Sequence, residues 1–353
     1  MMDNTVVIAG ATGQIGASVA RYLSGRAGWN PVGLSRRDRP DASFPMLPVD
    51  LRDAEACHGK LQKLPAVTHL VYAARYDHAG GKQESVDINL ELLSNVLRAV
   101  QDRPELRHVH VVHGTKYYGH NAGPGPVPYR EDGPRAQRPV FYYAQQDFLV
   151  QQQRGRPWDW SISRPHSFCD LAPGEPRSIT LLVGIYASIL KELGLPLRFP
   201  GSRQAYQVRT QFTWLPMLAR SIEWMMSDPA CANQAFNIVN GDAPRWSTLW
   251  RAIADYFGME CGEPDAGAVA ESLTHFPDAH ADVWRRLVSR HDLRPSELPS
   301  VVQWAYGDYV FSPGWDVVSS MDKARRHGFT ESVDTLAMWR DSFDFYRSNR
   351  IIP

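Results

Sequence analysis

Apolar and polar positions in the first half of the chain follow two alternating rhythms. Residues 5–9, Thr-Val-Val-Ile-Ala, form a short apolar run ending at Gly10, the pattern of a strand buried on both faces. Ile15, Val19, Ala20 and Leu23 then recur at helical spacing. Similar runs at 31–34, 44–49, 69–73, 109–112 and 160–163 predict five further strands. Between them, Val86, Leu90, Leu93, Leu97 and Val100 make one apolar helix stripe, and 141–153 reads as another helix. Strands alternating with helices predict an α/β fold, a Rossmann-type doubly wound parallel sheet covered on both faces.

The second half is more mixed. A helix is expected over 179–193 and a strand over 235–239, and Trp246, Leu249, Trp250, Ile253 and Phe257 load one helix face with bulk. Eight of the 11 tryptophans lie beyond residue 200, and a tryptophan stripe reads first as core. One apolar core rarely grows past ~250–300 residues, so the 353 residues divide in two. The expected division is a dinucleotide-binding core over 1–165, completed by about 203–242, and a smaller, mainly helical substrate lobe from about 166–202 and 243–353.

Composition narrows the function classes. Lys+Arg and Asp+Glu are both 38, and this balance lacks the basic excess of a nucleic-acid binder. No apolar run approaches the ~18–20 residues that cross a bilayer, and the N-terminus shows no secretory signal pattern. Cys57, Cys169, Cys231 and Cys261 lack metal-site spacing and read as reduced thiols. His108 and His110 alternate with valines as strand side chains do, so with His113 they predict no metal site. A cytoplasmic enzyme for a small molecule is expected, with no nucleic-acid or membrane partner and allowance for a homodimer.

The candidate chemistry begins after the first strand. Gly10, Gly13 and Gly16 punctuate Ala9-Gly10-Ala11-Thr12-Gly13-Gln14-Ile15-Gly16 between strand and helix. The first glycine permits a tight turn, the second lets a pyrophosphate approach the backbone, and the third lets helix and strand pack closely. The helix N-terminus then offers N–H groups to the phosphates. At the end of the second strand an NAD site usually carries an acid for the ribose hydroxyls. Here the chain reads Leu34-Ser35-Arg36-Arg37. A hydroxyl and two guanidiniums suit a 2′-phosphate, which favours NADP(H). Asp50 and Leu51, after the third strand, are candidates for the adenine edge.

The three-glycine spacing resembles that of extended short-chain dehydrogenases, a family that normally carries Tyr-x-x-x-Lys on a later helix. Here Gln146 stands four residues past Tyr142, and Asp147 four past Tyr143. A lysine occurs instead in His113-Gly114-Thr115-Lys116-Tyr117-Tyr118-Gly119, after the fifth strand. That stretch, with Phe141-Tyr142-Tyr143 on a later helix, resembles the progesterone 5β-reductase and iridoid synthase-like enone reductases. Ser163-Arg164-Pro165, Ala235-Phe236-Asn237-Ile238-Val239-Asn240-Gly241-Asp242 and the terminal Ile351-Ile352-Pro353 extend the likeness over nearly the whole chain.

The resemblance implies NADPH-dependent 1,4-reduction of an α,β-unsaturated carbonyl, with Tyr142 and Lys116 as catalytic residues. The expected cofactor set comprises the loop residues Gly10, Thr12, Gly13, Gln14, Ile15 and Gly16, then Ser35, Arg36, Arg37, Asp50 and Leu51. Ala73, Ala74, Val112, Pro165, Phe168 and Ser178 complete it. A phenol aimed at the carbonyl oxygen stabilises the negative charge that develops there, and a nearby ammonium favours tyrosinate character. Several positions depart from the plant members. Gln146 replaces a glutamate, Pro165-His166-Ser167-Phe168 replaces Pro-Gly-Asn-Ile, Arg75 replaces a tryptophan near the substrate, and Leu336 replaces a phenylalanine. Arg75 and Leu336 are therefore the candidate substrate residues, and Arg75 facing the pocket would favour a carboxylate or other polar group. Two other readings stay open: a nucleotide-sugar epimerase or dehydratase, and a non-catalytic NADP-binding regulator.

Overall fold

The computed structural model describes residues 4–76, 84–171, 177–264, 272–294 and 297–353. Seven parallel strands form the central sheet: β1 (Asn4–Ala9), β2 (Trp29–Ser35), β3 (Met46–Pro48), β4 (Val67–Tyr72), β5 (His108–Val112), β6 (Asp159–Arg164) and β7 (Gln234–Asn237). Their order across the sheet is β7-β6-β5-β4-β1-β2-β3. The chain winds outward from β1 to one edge, returns to β4, and then winds to the other edge. The order therefore reverses beside β1, which is where an open α/β sheet leaves a crevice at its strand ends.

The period-two geometry of a strand sorts its side chains between two cores. Val7 and Ala9 of β1, with Leu70 and Tyr72 of β4, face Leu93, Val96 and Leu97 of helix α3 (Val86–Val100). Val6, Ile8 and Val71 point the other way, onto Val19, Ala20 and Leu23 of α1 (Gln14–Ser24) and Leu218 and Ile222 of the helix Leu215–Ser227. Helix α2 (Ala54–Leu61), capped by Asp53, packs beside α3 on the same face. The imidazoles of His108 and His110 take Ser161 and Ser163 of the neighbouring β6 as hydrogen-bond partners at 2.7–3.0 Å.

A third core lies in the second half of the chain. Helix α5 (Ile179–Glu192) is buried along almost its whole length, and the helices Trp246–Phe257 and Thr335–Ser348 pack around it. Phe199, Trp246, Trp250 and Phe311 form an aromatic knot with ring centroids 5.0–5.7 Å apart. The tryptophan stripe is core. Leu336 packs against this cluster. Among the described residues no helix is long and apolar enough to cross a membrane.

Candidate active site

A cleft of about 990 Å³ runs along the carboxyl ends of the strands. One end is the glycine cradle. Gly10 has φ +82°, and a β-carbon there would lie 2.7 Å from the backbone of Ala73 and Ala74. A β-carbon on Gly16 would lie 2.3 Å from the Gly10 carbonyl oxygen. These two positions exclude side chains, so α1 can begin directly against β1 and β4. The helix opens at Gly13 with no side-chain cap, which leaves its first N–H groups for a ligand. Gln14 Oε1 is buried there without a hydrogen-bond partner. A cradle closed to β-carbons, an uncapped helix start and an orphaned amide oxygen fit the pyrophosphate of a dinucleotide.

At the adenosine end, Ser35 and Arg36 enter the wall together with Asp50 and Leu51. The Arg37 N–H donates to Ser35 Oγ (3.3 Å) and the Arg52 N–H to Asp50 Oδ1 (3.0 Å), so local turns fix both polar residues. Thr12, Gln14, Ile15, Ala73, Ala74, Val112 and Phe168 also line the cleft. Other expected cofactor residues stand outside its wall. Gly16 acts through packing, and Arg37 is exposed beyond the rim. The Pro165 carbonyl accepts from the Thr115 N–H and hydroxyl, each at 3.1 Å. Ser178 is the N-cap of α5, accepting from the Leu181 N–H and bonded to the Tyr346 hydroxyl at 3.0 Å. A serine ahead of an apolar helix is a capping signal, and that signal accounts for Ser178.

The opposite end carries the tyrosine pair on α4 (Phe141–Gln153). Tyr143 is committed to structure: its hydroxyl donates to the Tyr117 carbonyl (2.5 Å) and accepts from the Ala136 N–H (2.7 Å). Tyr142 faces the cleft instead, 7% exposed. Its ring stacks on His113 with centroids 4.5 Å apart. Its hydroxyl lies 3.2 Å from where a β-carbon on Gly114 would stand. Burial pushes the phenol well above its ordinary range; Glu84 and Tyr309 add to this, and the Arg75 guanidinium opposes it. This environment favours the neutral phenol, which can donate a hydrogen bond.

Lys116 sits on the single turn Thr115–Tyr118. The fully buried Arg164 anchors that turn, its guanidinium 3.4 Å from the Tyr117 ring centroid and its Nη1 donating to the Tyr118 hydroxyl at 2.9 Å. Lys116 is not part of the cleft wall. Its Nζ donates to Glu84 Oε1 at 3.0 Å and lies 5.5 Å from the Tyr309 ring centroid. Arg75 Nη1 reaches the same Glu84 oxygen at 3.2 Å. Glu84 thus bridges Lys116 and Arg75, and Arg75 lines the cleft together with Tyr142.

Sequence reasoning missed Glu84, His113 and Arg177, the last of which lines the cleft beside Gln303. Glu84 lies 32 residues from Lys116, and no local pattern announces such a pairing. His113 did carry a signal, since it directly follows a buried strand whose end supplies the cleft.

A seven-stranded parallel sheet, a glycine cradle at the crossover and a helical second lobe define the extended short-chain dehydrogenase/reductase architecture. The chain belongs to the PRISE-like Rossmann-fold family, whose domain matches residues 50–353. It is 32% identical over 372 residues to the 3-oxo-Delta(4,5)-steroid 5-beta-reductase of Arabidopsis thaliana, covering 99% of this chain and 94% of the relative. It is 30% identical over 367 residues to the (S)-8-oxocitronellyl enol synthase CYC2 of Camptotheca acuminata, with the same coverage. The fold is shared with a short-chain dehydrogenase/reductase superfamily protein from Agrobacterium tumefaciens, whose structure has bound NAD. That match has a TM-score of 0.69 at 14% identity and covers 98% of each chain.

Proposed function

We propose that the protein is an NADPH-dependent reductase of the C=C bond in α,β-unsaturated carbonyl compounds. The observation that carries this reading is the Tyr142 hydroxyl, buried in the same cleft whose far end is the glycine cradle. The named activities of the relatives, an enol synthase and a steroid 5-beta-reductase, support the reaction class. Ser35 and Arg36 in the adenosine wall support the phosphorylated cofactor, because a hydroxyl and a guanidinium match phosphate oxygens.

When bound, NADPH supplies a hydride to the β-carbon of the enone. The chain supplies the rest. The cradle of Gly10, Gly13 and the first turn of α1 holds the pyrophosphate, and Ser35, Arg36 and Asp50 orient the adenosine. Tyr142 donates its hydroxyl hydrogen bond to the carbonyl oxygen, where negative charge accumulates as the β-carbon is reduced; one such donor is worth about 3 kcal/mol in the transition state. The proton that completes the α-carbon comes from solvent, so the phenol need not ionise. Lys116 and Arg75, bridged by Glu84, supply the cations at this end of the site.

The test is NADPH oxidation with cyclohexenone and with a linear enal, followed by product analysis. A saturated ketone or aldehyde is expected. Intact NADPH binding with no reduction of the C=C bond in either substrate overturns the reading, and an allylic alcohol product redirects it to carbonyl reduction.

A further inference from the structure

A second polar group stands outside the cleft wall, beside the turn that carries Lys116. His120, His166 and Tyr309 come from three distant stretches of chain, and the fold brings their rings together. The His120 ring meets that of His166 edge-on, with centroids 5.1 Å apart, and that of Tyr309 at 6.4 Å. Lys116 Nζ lies 5.5 Å from the Tyr309 centroid. Both histidines are anchored through their backbones. The His120 carbonyl accepts from Trp315 Nε1 at 2.9 Å, and the His166 N–H donates to Thr213 Oγ1 at 3.0 Å. The group adjoins the reaction end. A β-carbon on Gly114 would stand 3.2 Å from the Tyr142 hydroxyl and 3.5 Å from the Pro165 carbonyl oxygen, and His166 is the next residue in the chain.

These side chains are not spent on the protein. His120 is 3% exposed, and its Nδ1 is buried without a hydrogen-bond partner. A buried polar atom left unpaired costs ~1–3 kcal/mol, so it calls for a partner that the chain does not supply. Among the described residues the His166 imidazole and the Tyr309 hydroxyl take no hydrogen bond either. Tyr309 is 37% exposed, which opens the group outward. Among the described residues no cluster of three metal-ligating side chains occurs, so the histidine pair does not read as a metal site. Burial lowers both imidazoles, His166 to about 4, and this favours their neutral forms. A neutral imidazole presents one donor and one acceptor, and a phenol presents both as well. The charge of Lys116 is met by Glu84. Such a set matches an alcohol, which also donates and accepts, rather than an anion. We propose that His120, His166 and Tyr309 form a hydroxyl-binding subsite, and that the substrate is an enone or enal bearing a hydroxyl group remote from its carbonyl. This deepens the reductase reading and rests on it for the reacting group. The carbonyl oxygen takes the Tyr142 hydroxyl and the remote hydroxyl takes the imidazoles, so two fixed points align the C=C bond.

The test uses straight-chain enones with a terminal hydroxyl, at three chain lengths, each against the same enone without the hydroxyl. At the best length the alcohol is expected to show kcat/KM roughly ten-fold or more above its partner, because a site built to pair a hydroxyl penalises the analogue that lacks it. His120→Phe and His166→Phe are each expected to bring that ratio close to one, His120→Asn to retain part of it, and Tyr309→Phe to reduce it. A ratio of one at every length in the unmodified protein overturns the proposal, as does a ratio that survives both histidine-to-phenylalanine variants. If no compound is reduced, the reductase reading falls, and calorimetric binding of the same pairs to the NADPH-loaded protein decides this one separately. Alcohol binding tighter than that of its partner, and lost in His166→Phe, sustains the subsite; equal binding removes it. Thermal melts of each variant report whether it has folded.

Discussion

The Tyr142 hydroxyl lies 3.2 Å from the point that a β-carbon on Gly114 would occupy. The glycine is not needed for backbone strain, since its φ is −178°, a conformation open to any residue. It is needed for room. Gly114→Ala is expected to displace the hydroxyl by a few tenths of an ångström and to lower kcat roughly ten-fold, because small misplacements of a positioned group are costly. The melting temperature should move little. Unchanged kcat would show that the phenol's position at Gly114 is irrelevant to turnover.

Removing the hydroxyl itself should cost more. Tyr142→Phe keeps the ring stacked on His113 and deletes one donor, so kcat should fall by about 10²–10³ while the Kd for NADPH stays near its starting value. Tyr143→Phe serves as the contrast. It removes two backbone hydrogen bonds, and its first effect should be on thermal stability.

The cofactor's extra phosphate is testable at Arg36. Arg36→Ala is expected to weaken NADPH roughly ten-fold or more and NADH by less than about two-fold, measured as separate dissociation constants. Equal losses would move recognition of the 2′-phosphate elsewhere.

Stability should depend on pH in one direction. Burial lowers His69 to about 4 and His110 to about 3, and His108, His113, His120 and His166 are lowered as well. The unfolded chain protonates these rings near 6.5; the folded chain does not until the pH is far lower. The unfolded state therefore binds more protons below about 6.5, and stability is lost as pH falls from there toward 4, by up to about 1.4 kcal/mol per pH unit for each ring. The raised carboxyl groups of Glu131 and Asp170 act in the opposite sense, and the histidines outnumber them. The urea midpoint should be flat between about pH 7 and 8 and drop between about 6.5 and 5. A midpoint that rises on acidification contradicts this.

Much of the scaffold was legible in the sequence because its signals are local. The apolar run before Gly10, the stripe on α3 and the start of α4 at Phe141 each depend on neighbours within a few turns, and each stands where the pattern put it. The site was legible as far as chain neighbours define it, at the phosphate loop and the Ser35–Arg36 corner. It was not legible where partners come from distant segments. Lys116 and Arg75 both meet Glu84, and Arg75 shares the cleft wall with Tyr142, which only the folded sheet brings together. Ser178 and Leu336 were assigned by likeness to cofactor and substrate. The structure places Ser178 at the cap of α5 and Leu336 against the lobe core.

Because every strand of the sheet runs the same way, a single rim gathers their endings, and Arg75, His113 and His166 each sit within three positions of one. Replacements at Arg75 and His113, which line the cleft, would change its wall while the interleaved aliphatic layers beneath stay untouched. The architecture thereby separates endurance from selectivity, leaving a descendant free to change its preferred molecule without rebuilding its interior.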